Sequence, residues 1–375
     1  MTMATDAIGL YIHIPFCVRK CNYCDFCSFN LASVDWRAEY IDRLCREIES
    51  YKNEQIKVNS IFFGGGTPSL LTPLEFDRIC EEIRNSFTVL PDCEFTVEAN
   101  PKTLNEENLS SFKKNGVNRL SIGLQSIHEN ELKILGRIHS YDDFLVSYKL
   151  AREYGIDNVN IDLMYGIPEQ TKISFGITLD TVLGLDPEHI SLYGLILEEG
   201  TPFYENRSNL PIPTEDTECD MYYLAAEKLR NAGYLHYEIS NYARVGLECR
   251  HNLKYWRAEE YIGLGLNAYS LFCGRRFSNS DNIDVYLNEK NVKYKCEPIQ
   301  DVTENAYEYV MLRLRLSEGF SLSDYKKRFC IDFMDGRKGL IDNLIKAGYI
   351  SFDGDILKLT ESGFYVSNSI LTELI

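Results

Sequence analysis

No run in this 375-residue chain approaches the roughly 20 consecutive apolar residues that a membrane-spanning helix needs. Basic residues are scarce as well. The 39 Lys and Arg stand against 56 Asp and Glu, for a net charge of -17 and a pI near 4.9. A phosphate backbone or an anionic membrane surface would be repelled, so no nucleic-acid partner is expected. The first nine residues carry neither a basic region nor an apolar core, and the expectation is that they are no secretory signal. Twelve cysteines without export point to a reducing compartment, where thiols stay free for metal, and the expected location is cytoplasmic. Apolar residues at 45% and charged residues at 25% are values of an ordinary globular chain, and the length allows two domains.

Against these absences, three cysteines are concentrated as Cys17-x3-Cys21-x2-Cys24, straight after Tyr11-Ile-His-Ile-Pro15. Thiolates crowded on a short loop can share one soft metal centre. Zinc would need a second ligand pair at a distance, and none follows. The two-cluster ferredoxin spacing also differs. A [4Fe–4S] cube held by three ligands would leave one iron open, which marks a reactive site. Cys27 could close the cluster and make it an electron carrier; it is left unassigned.

Six apolar or β-branched runs recur through the first two-thirds: Tyr11–Ile14, Ser60–Phe63, Glu94–Val97, Arg119–Ile122, Asn158–Leu163 and His189–Tyr193. Amphipathic segments such as Trp36–Tyr51, Pro73–Phe87 and Glu106–Asn115 lie between them. Thr72-Pro73 reads as an N-cap followed by proline at the first helical position. Strands alternating with helices predict a parallel α/β sheet, as a partial or complete (β/α) barrel or a doubly wound open sheet. Polar and glycine-rich motifs fall at the C-terminal ends of the runs, where such folds bind ligands. They are the cysteine loop, Gly64-Gly-Gly-Thr67-Pro68, Glu98-Ala-Asn-Pro101, Gln125-Ser126 and Asp162-Leu-Met-Tyr-Gly166. Glycines there let a backbone approach a ligand closely. Glu98 and Asp162 suit an ammonium or ribose hydroxyls, and Arg137 suits a carboxylate. Each alone reads equally as a turn, a cap or a surface charge; together they describe a pocket for a zwitterionic nucleoside.

These motifs resemble the radical S-adenosylmethionine (SAM) superfamily, and more narrowly its coproporphyrinogen III dehydrogenase-like (HemN-like) branch. The resemblance implies a partial (β/α)6 TIM-like barrel over residues 1–238. A smaller α+β domain would span 239–375, winged-helix-like from about 300. It implies a [4Fe–4S] cluster on Cys17, Cys21 and Cys24, with Tyr11 and Tyr23 beside it. Gly65, Gly66 and Thr67 would take the methionyl end of SAM, and Glu98, Gln125, Arg137 and Asp162 the rest.

Cys249-Arg-His251-Asn-Leu-Lys-Tyr-Trp256 and the few residues before Tyr11 resemble the heme chaperones of that branch more than its dehydrogenases. The resemblance implies heme as a ligand, with His251 as its candidate axial ligand. It also implies hemoprotein acceptors such as respiratory cytochromes and a reductant such as flavodoxin or ferredoxin. Alternatively, His251 and Trp256 pack a domain junction. The competing function is oxygen-independent dehydrogenation of coproporphyrinogen III or another radical attack on a tetrapyrrole.

Overall fold

The structure is a computed structural model and describes residues 7–52, 54–288, 295–296 and 302–375. All six runs form strands, each longer than its apolar kernel: β1 (Ile8–Ile14), β2 (Lys57–Gly65), β3 (Thr88–Ala99), β4 (Arg119–Gln125), β5 (Asn158–Tyr165) and β6 (His189–Gly194). Each pairs in parallel with the next. The order runs 1 to 6 without the reversal that a doubly wound sheet requires.

The sheet does not close. The outer side of β6 is taken by Asn241–Ala243, antiparallel, and the outer side of β1 by Tyr261–Leu264, parallel. A hairpin of Tyr269–Phe272 and Arg275–Ser278, followed by Lys295–Cys296, prolongs the β1 edge. The six strands are therefore an open, partial (β/α) barrel with extensions from later in the chain.

Crossover helices cover one face, among them α1 (Arg37–Glu49), α2 (Pro73–Ser86), α3 (Glu106–Lys114), α4 (Tyr141–Glu153), α5 (Lys172–Leu183) and α6 (Glu215–Asn231). Thr72 caps α2 as read: its hydroxyl accepts from the Glu75 N–H, and Glu75 accepts in return from the Thr72 N–H. Strand alternation sorts the two faces. Leu10, Ile12, Leu120 and Ile122 enter the main hydrophobic core, while Tyr11, His13, Arg119, Ser121 and Gln125 line a cavity on the other face.

A second core begins beyond residue 300. Helices Val302–Arg313, Leu322–Phe329 and Lys338–Lys346 pack with a three-stranded antiparallel sheet whose central strand is Ile356–Leu359, flanked by Phe320–Ser321 and Ile350–Phe352. This is a winged-helix arrangement, with Gly354 at positive φ in the wing turn. It joins the main sheet through a bridge between Glu238 and Leu316 and the bond from Ile239 N–H to the Arg315 carbonyl.

Candidate functional site

The cysteine loop leaves the end of β1 and returns through a short parallel pair, Phe16–Cys17 with Phe29–Asn30, which pinches it at its base. Asn22 pins its middle: its backbone N–H donates to the Leu135 carbonyl and its side chain to that of Ile134, at 3.0 and 2.8 Å. His13 Nε2 lies 2.8 Å from the Cys27 carbonyl and therefore carries the proton; Nδ1 then accepts from the Tyr11 hydroxyl at 3.1 Å. Cys17, Cys21, Cys24 and Cys27 are all free thiols on the wall of one cavity of about 820 Å³.

Two donors aim at the sulfurs. The Thr67 hydroxyl lies 3.7 Å from Cys17 Sγ and Arg137 Nη1 lies 3.6 Å from Cys21 Sγ. Both stabilise thiolate, the form that binds iron. Burial pushes the Cys17 thiol up and that of Cys24 to about 11. Among the described residues no three His, Cys, Asp or Glu converge to hold a single ion. A cube does not require that, because each thiolate takes a different iron. Cys27 Sγ is instead 3.9 Å from the Asp281 carbonyl.

The strand ends supply the facing wall. Gly65 sits at φ +107°, and a Cβ there would stand 2.5 Å from the His13 ring; at Gly66 it would stand 2.6 Å from the Phe16 carbonyl. No larger residue fits either place. The Gly65 N–H donates to Glu98 at 3.2 Å. Asn100 donates to the Thr67 hydroxyl at 2.7 Å and accepts from Arg137, linking the glycine turn to the cysteine loop. Thr67 itself lies behind the main cavity, on a second recess of about 470 Å³ shared with Cys21, Asn100 and Arg137. Asp162 accepts from Asn160 at 2.7 Å and from Ser121 at 3.3 Å. Gln125 is buried at φ 71°, next to a register shift in the β4–β5 pairing, and its Oε1 has no hydrogen-bond partner. The unpaired Gln125 Oε1 is free to accept a hydrogen bond from a group in the cavity.

Electrostatics support that reading. Enclosure, followed by the charge of Asp162, pushes the Glu98 carboxyl up to about 8. Enclosure raises Asp162 too. Two half-buried carboxylates and an unpaired amide oxygen thus face one cavity, where Arg119 and Arg137 are the cationic counterparts. Tyr11 and Tyr23 border the same cavity, and their hydroxyls remain protonated because burial raises both. The wall matches a ligand with cationic, hydroxyl and carboxylate groups, and the thiols match a soft metal centre.

His251 belongs to α7 (Arg250–Trp256), whose first N–H groups donate to Glu94: Arg250 at 2.9 Å and His251 at 3.0 Å. The imidazole reaches the same cavity but is fully buried. Nδ1 lies 3.0 Å from the Ser60 hydroxyl and Nε2 lies 2.8 Å from the Tyr255 hydroxyl, with the ring stacked on Phe62. Burial, then Lys254 and Arg119, lower its pKa to about 3, so it is neutral. Trp256 is half-buried under the Arg315 guanidinium.

Sequence reasoning assigned no role to Arg119, Ser121, Asn160 or the Asn100 side chain. Arg119 and Ser121 precede Gly123 and Gln125 at two-residue steps on β4, the alternation that would have placed them in the cavity.

Comparison with known proteins agrees with this architecture. The Radical SAM superfamily profile matches residues 11–182, and the HemN C-terminal domain profile matches 300–366. The chain is 37% identical to "Heme chaperone HemW" of Bacillus subtilis, over 92% of this chain and 96% of the relative. It is 35% identical to the protein of the same name from Escherichia coli, over 97% of each. The solved structure of coproporphyrinogen III oxidase (HemN) from Escherichia coli superposes with a TM-score of 0.86 at 22% identity, covering 98% of this chain and 90% of that one. The chain belongs to the radical SAM superfamily, in its HemN-like branch and among the HemW relatives.

Proposed function

We propose that the chain is a heme-binding chaperone built on a radical SAM domain. One observation carries the reading: a three-cysteine loop, the ligand-ready strand ends and the His251 helix all line one cavity. Cys17, Cys21 and Cys24 would hold a [4Fe–4S] cluster, with Thr67 and Arg137 donating to the Cys17 and Cys21 sulfurs. Gly65 and Gly66 give backbone access to the methionyl end of SAM. Glu98, Gln125 and Asp162 accept from its ammonium or ribose hydroxyls, and Arg137 offers the carboxylate a cation. Tyr11 and Tyr23 flank the cluster. When bound, the cluster and SAM supply an electron-triggered radical chemistry.

His251 would hold heme iron through Nε2 on giving up its bond to the Tyr255 hydroxyl. The ring already has the neutral state that ligation needs. Residues 1–238 carry the cluster and SAM, and residues 251–269 of the 239–375 portion complete the cavity wall; the partners are a reductant such as flavodoxin or ferredoxin, and hemoprotein acceptors such as cytochromes. No helix of the described residues is long and apolar enough to cross a membrane, and the reading places the work in the cytoplasm.

Anaerobic reconstitution tests the reading. About four irons per chain are expected, as a cube requires. Alanine at Cys17, Cys21 or Cys24 should abolish the cluster, and Cys27→Ala should keep it. SAM should alter the EPR spectrum of the reduced cluster. Heme should bind stoichiometrically, His251→Ala should shift the Soret band, and Tyr255→Phe should tighten binding by freeing Nε2. Turnover of coproporphyrinogen III to protoporphyrinogen IX would favour the dehydrogenase instead.

A further inference from the structure

His189 opens β6 fully buried, behind the cavity wall rather than on it. Both its ring nitrogens are engaged: Nδ1 lies 2.6 Å from Asn160 Oδ1 and Nε2 lies 2.8 Å from the Tyr237 hydroxyl. Burial, then the charge of Arg119, holds its pKa well below the usual value. The ring is therefore neutral, with one donor and one acceptor. Its neighbours decide which is which. The Cys249 N–H, at the N-cap of α7, donates to the Tyr237 oxygen at 3.2 Å and leaves the phenol proton for His189 Nε2. Nδ1 then carries the ring proton and donates to Asn160 Oδ1, which also accepts from the Ser191 hydroxyl at 3.1 Å. That turns the Asn160 amide nitrogen toward the cavity, where it donates to Asp162 and to the Ser121 hydroxyl, each at 2.7 Å. From the N-cap of α7 to Asp162 the bonds run one way, through four segments far apart in the chain.

We propose that His189 is a positioning residue for the cavity: its Nδ1–H tautomer orients Asn160 and so keeps Asp162 an anionic acceptor for the protons of a bound ligand. The inference rests on the reading that Asp162 holds part of SAM, and goes beyond it by giving a role to His189 and Tyr237, which lie outside the cavity. The opposite tautomer would turn the Asn160 amide over and set its oxygen against the Asp162 carboxylate. Two acceptors at that distance tolerate each other only when Asp162 takes up a proton, and the charge that attracts the ligand is then lost. Asp162 is close to that limit. Enclosure already pushes its carboxyl up, and the Asn160 bond is the largest influence opposing the rise, ahead of Ser191, Arg119 and Ser121. Packing would ask of His189 only its volume. The one-way bonds ask for a donor on one side and an acceptor on the other.

Two measurements on the full-length, cluster-loaded protein test this. Nitrogen-15 NMR of histidine-labelled protein reads the tautomer, with the His189 signals identified by their loss in His189→Gln. The protonated nitrogen should be Nδ1. Equilibrium dialysis reads SAM affinity. His189→Leu fills much of the space without a donor and should weaken SAM about tenfold, the scale of one lost hydrogen bond to a charged group. His189→Gln donates from its amide nitrogen and accepts at its oxygen, and should stay within about threefold of the wild type. Asn160→Ala should weaken SAM at least as much as His189→Leu. The double substitution should do no more than Asn160→Ala, because His189 acts through Asn160. Cluster absorbance verifies that each variant is intact, and the wild-type tautomer decides the matter if His189→Leu does not fold. An Nε2–H tautomer in the wild type overturns the inference. So do equal SAM affinities in His189→Leu and His189→Gln, or additive losses in the double substitution, and in each of these cases the SAM reading survives. If the wild type does not bind SAM, that reading falls and takes this inference with it.

Discussion

Glu98 and Asp162 put two carboxylates on one wall; enclosure raises both, and the charge of Asp162 raises Glu98 further. The folded protein keeps the Glu98 proton to about pH 8, whereas the unfolded chain releases it near 4.5. Between these values the folded state binds the extra proton. The native state is therefore unburdened below pH 4.5 and loses stability as pH rises toward 8. At about 1.4 kcal/mol per unit the total is on the order of a few kcal/mol. Glu98→Gln should flatten this slope, and urea unfolding of the ligand-free protein from pH 5 to 8.5 measures it. An unchanged slope would show that Glu98 is already ionised at neutral pH. The same arithmetic makes a bound ammonium release a proton from Glu98 below pH 8, so ligand affinity should rise with pH in the wild type and not in the glutamine variant.

At the scale of elements, the α7 helix depends on a distant strand. Glu94, on β3, accepts the N–H groups of Arg250 and His251 and lies within 3.5 Å of the Cys249 thiol. A carboxylate at a helix N-terminus satisfies orphan donors and opposes the helix dipole. Glu94→Ala should cost about 1–2 kcal/mol, in the range of a lost cap, and should move His251 relative to the cavity. Thermal unfolding and the Soret band of the heme complex measure the two effects separately. A stability loss with an unchanged heme spectrum would make Glu94 a support of the fold alone. This contact also shows why sequence reading stopped where it did. Thr72 and Glu75 lie three residues apart, so their reciprocal cap was half-visible as Thr72-Pro73. The strands were visible as apolar kernels, and the polar strand ends were visible as motifs. Glu94 and His251 are 157 residues apart. Tyr261–Leu264 joins β1 across some 250 residues. Neither pairing leaves a periodic trace in either partner, and the bonds held by Tyr255 and Ser60 on His251 arise only once those segments meet.

For the whole molecule, the fold of the C-terminal unit and its charge pull toward different partners. Three helices and a β-wing are an arrangement that often binds DNA, but fold alone does not assign that function. DNA affinity depends on how many phosphates free cations can neutralise. The basic run of this unit is already spent. Lys326 pairs with Asp332 at 2.9 Å, Lys327 pairs with Asp324 at 3.0 Å, and Arg328 lies over the rings of Tyr309 and Phe329. Around it is a chain with 17 more acidic than basic residues. Duplex DNA should therefore show no saturable binding by fluorescence anisotropy, even at about 50 mM salt, where phosphate contacts are strongest. Removing Asp324 and Asp332 together, as Asp324→Asn with Asp332→Asn, would release both lysines without touching the cavity lined by the cysteine loop. Weak, salt-sensitive binding by that variant alone would show that the two ion pairs suppress an inherited surface. Salt-sensitive binding by the wild type would show that the -17 charge does not govern this face, and the winged-helix unit would then need a nucleic-acid role of its own.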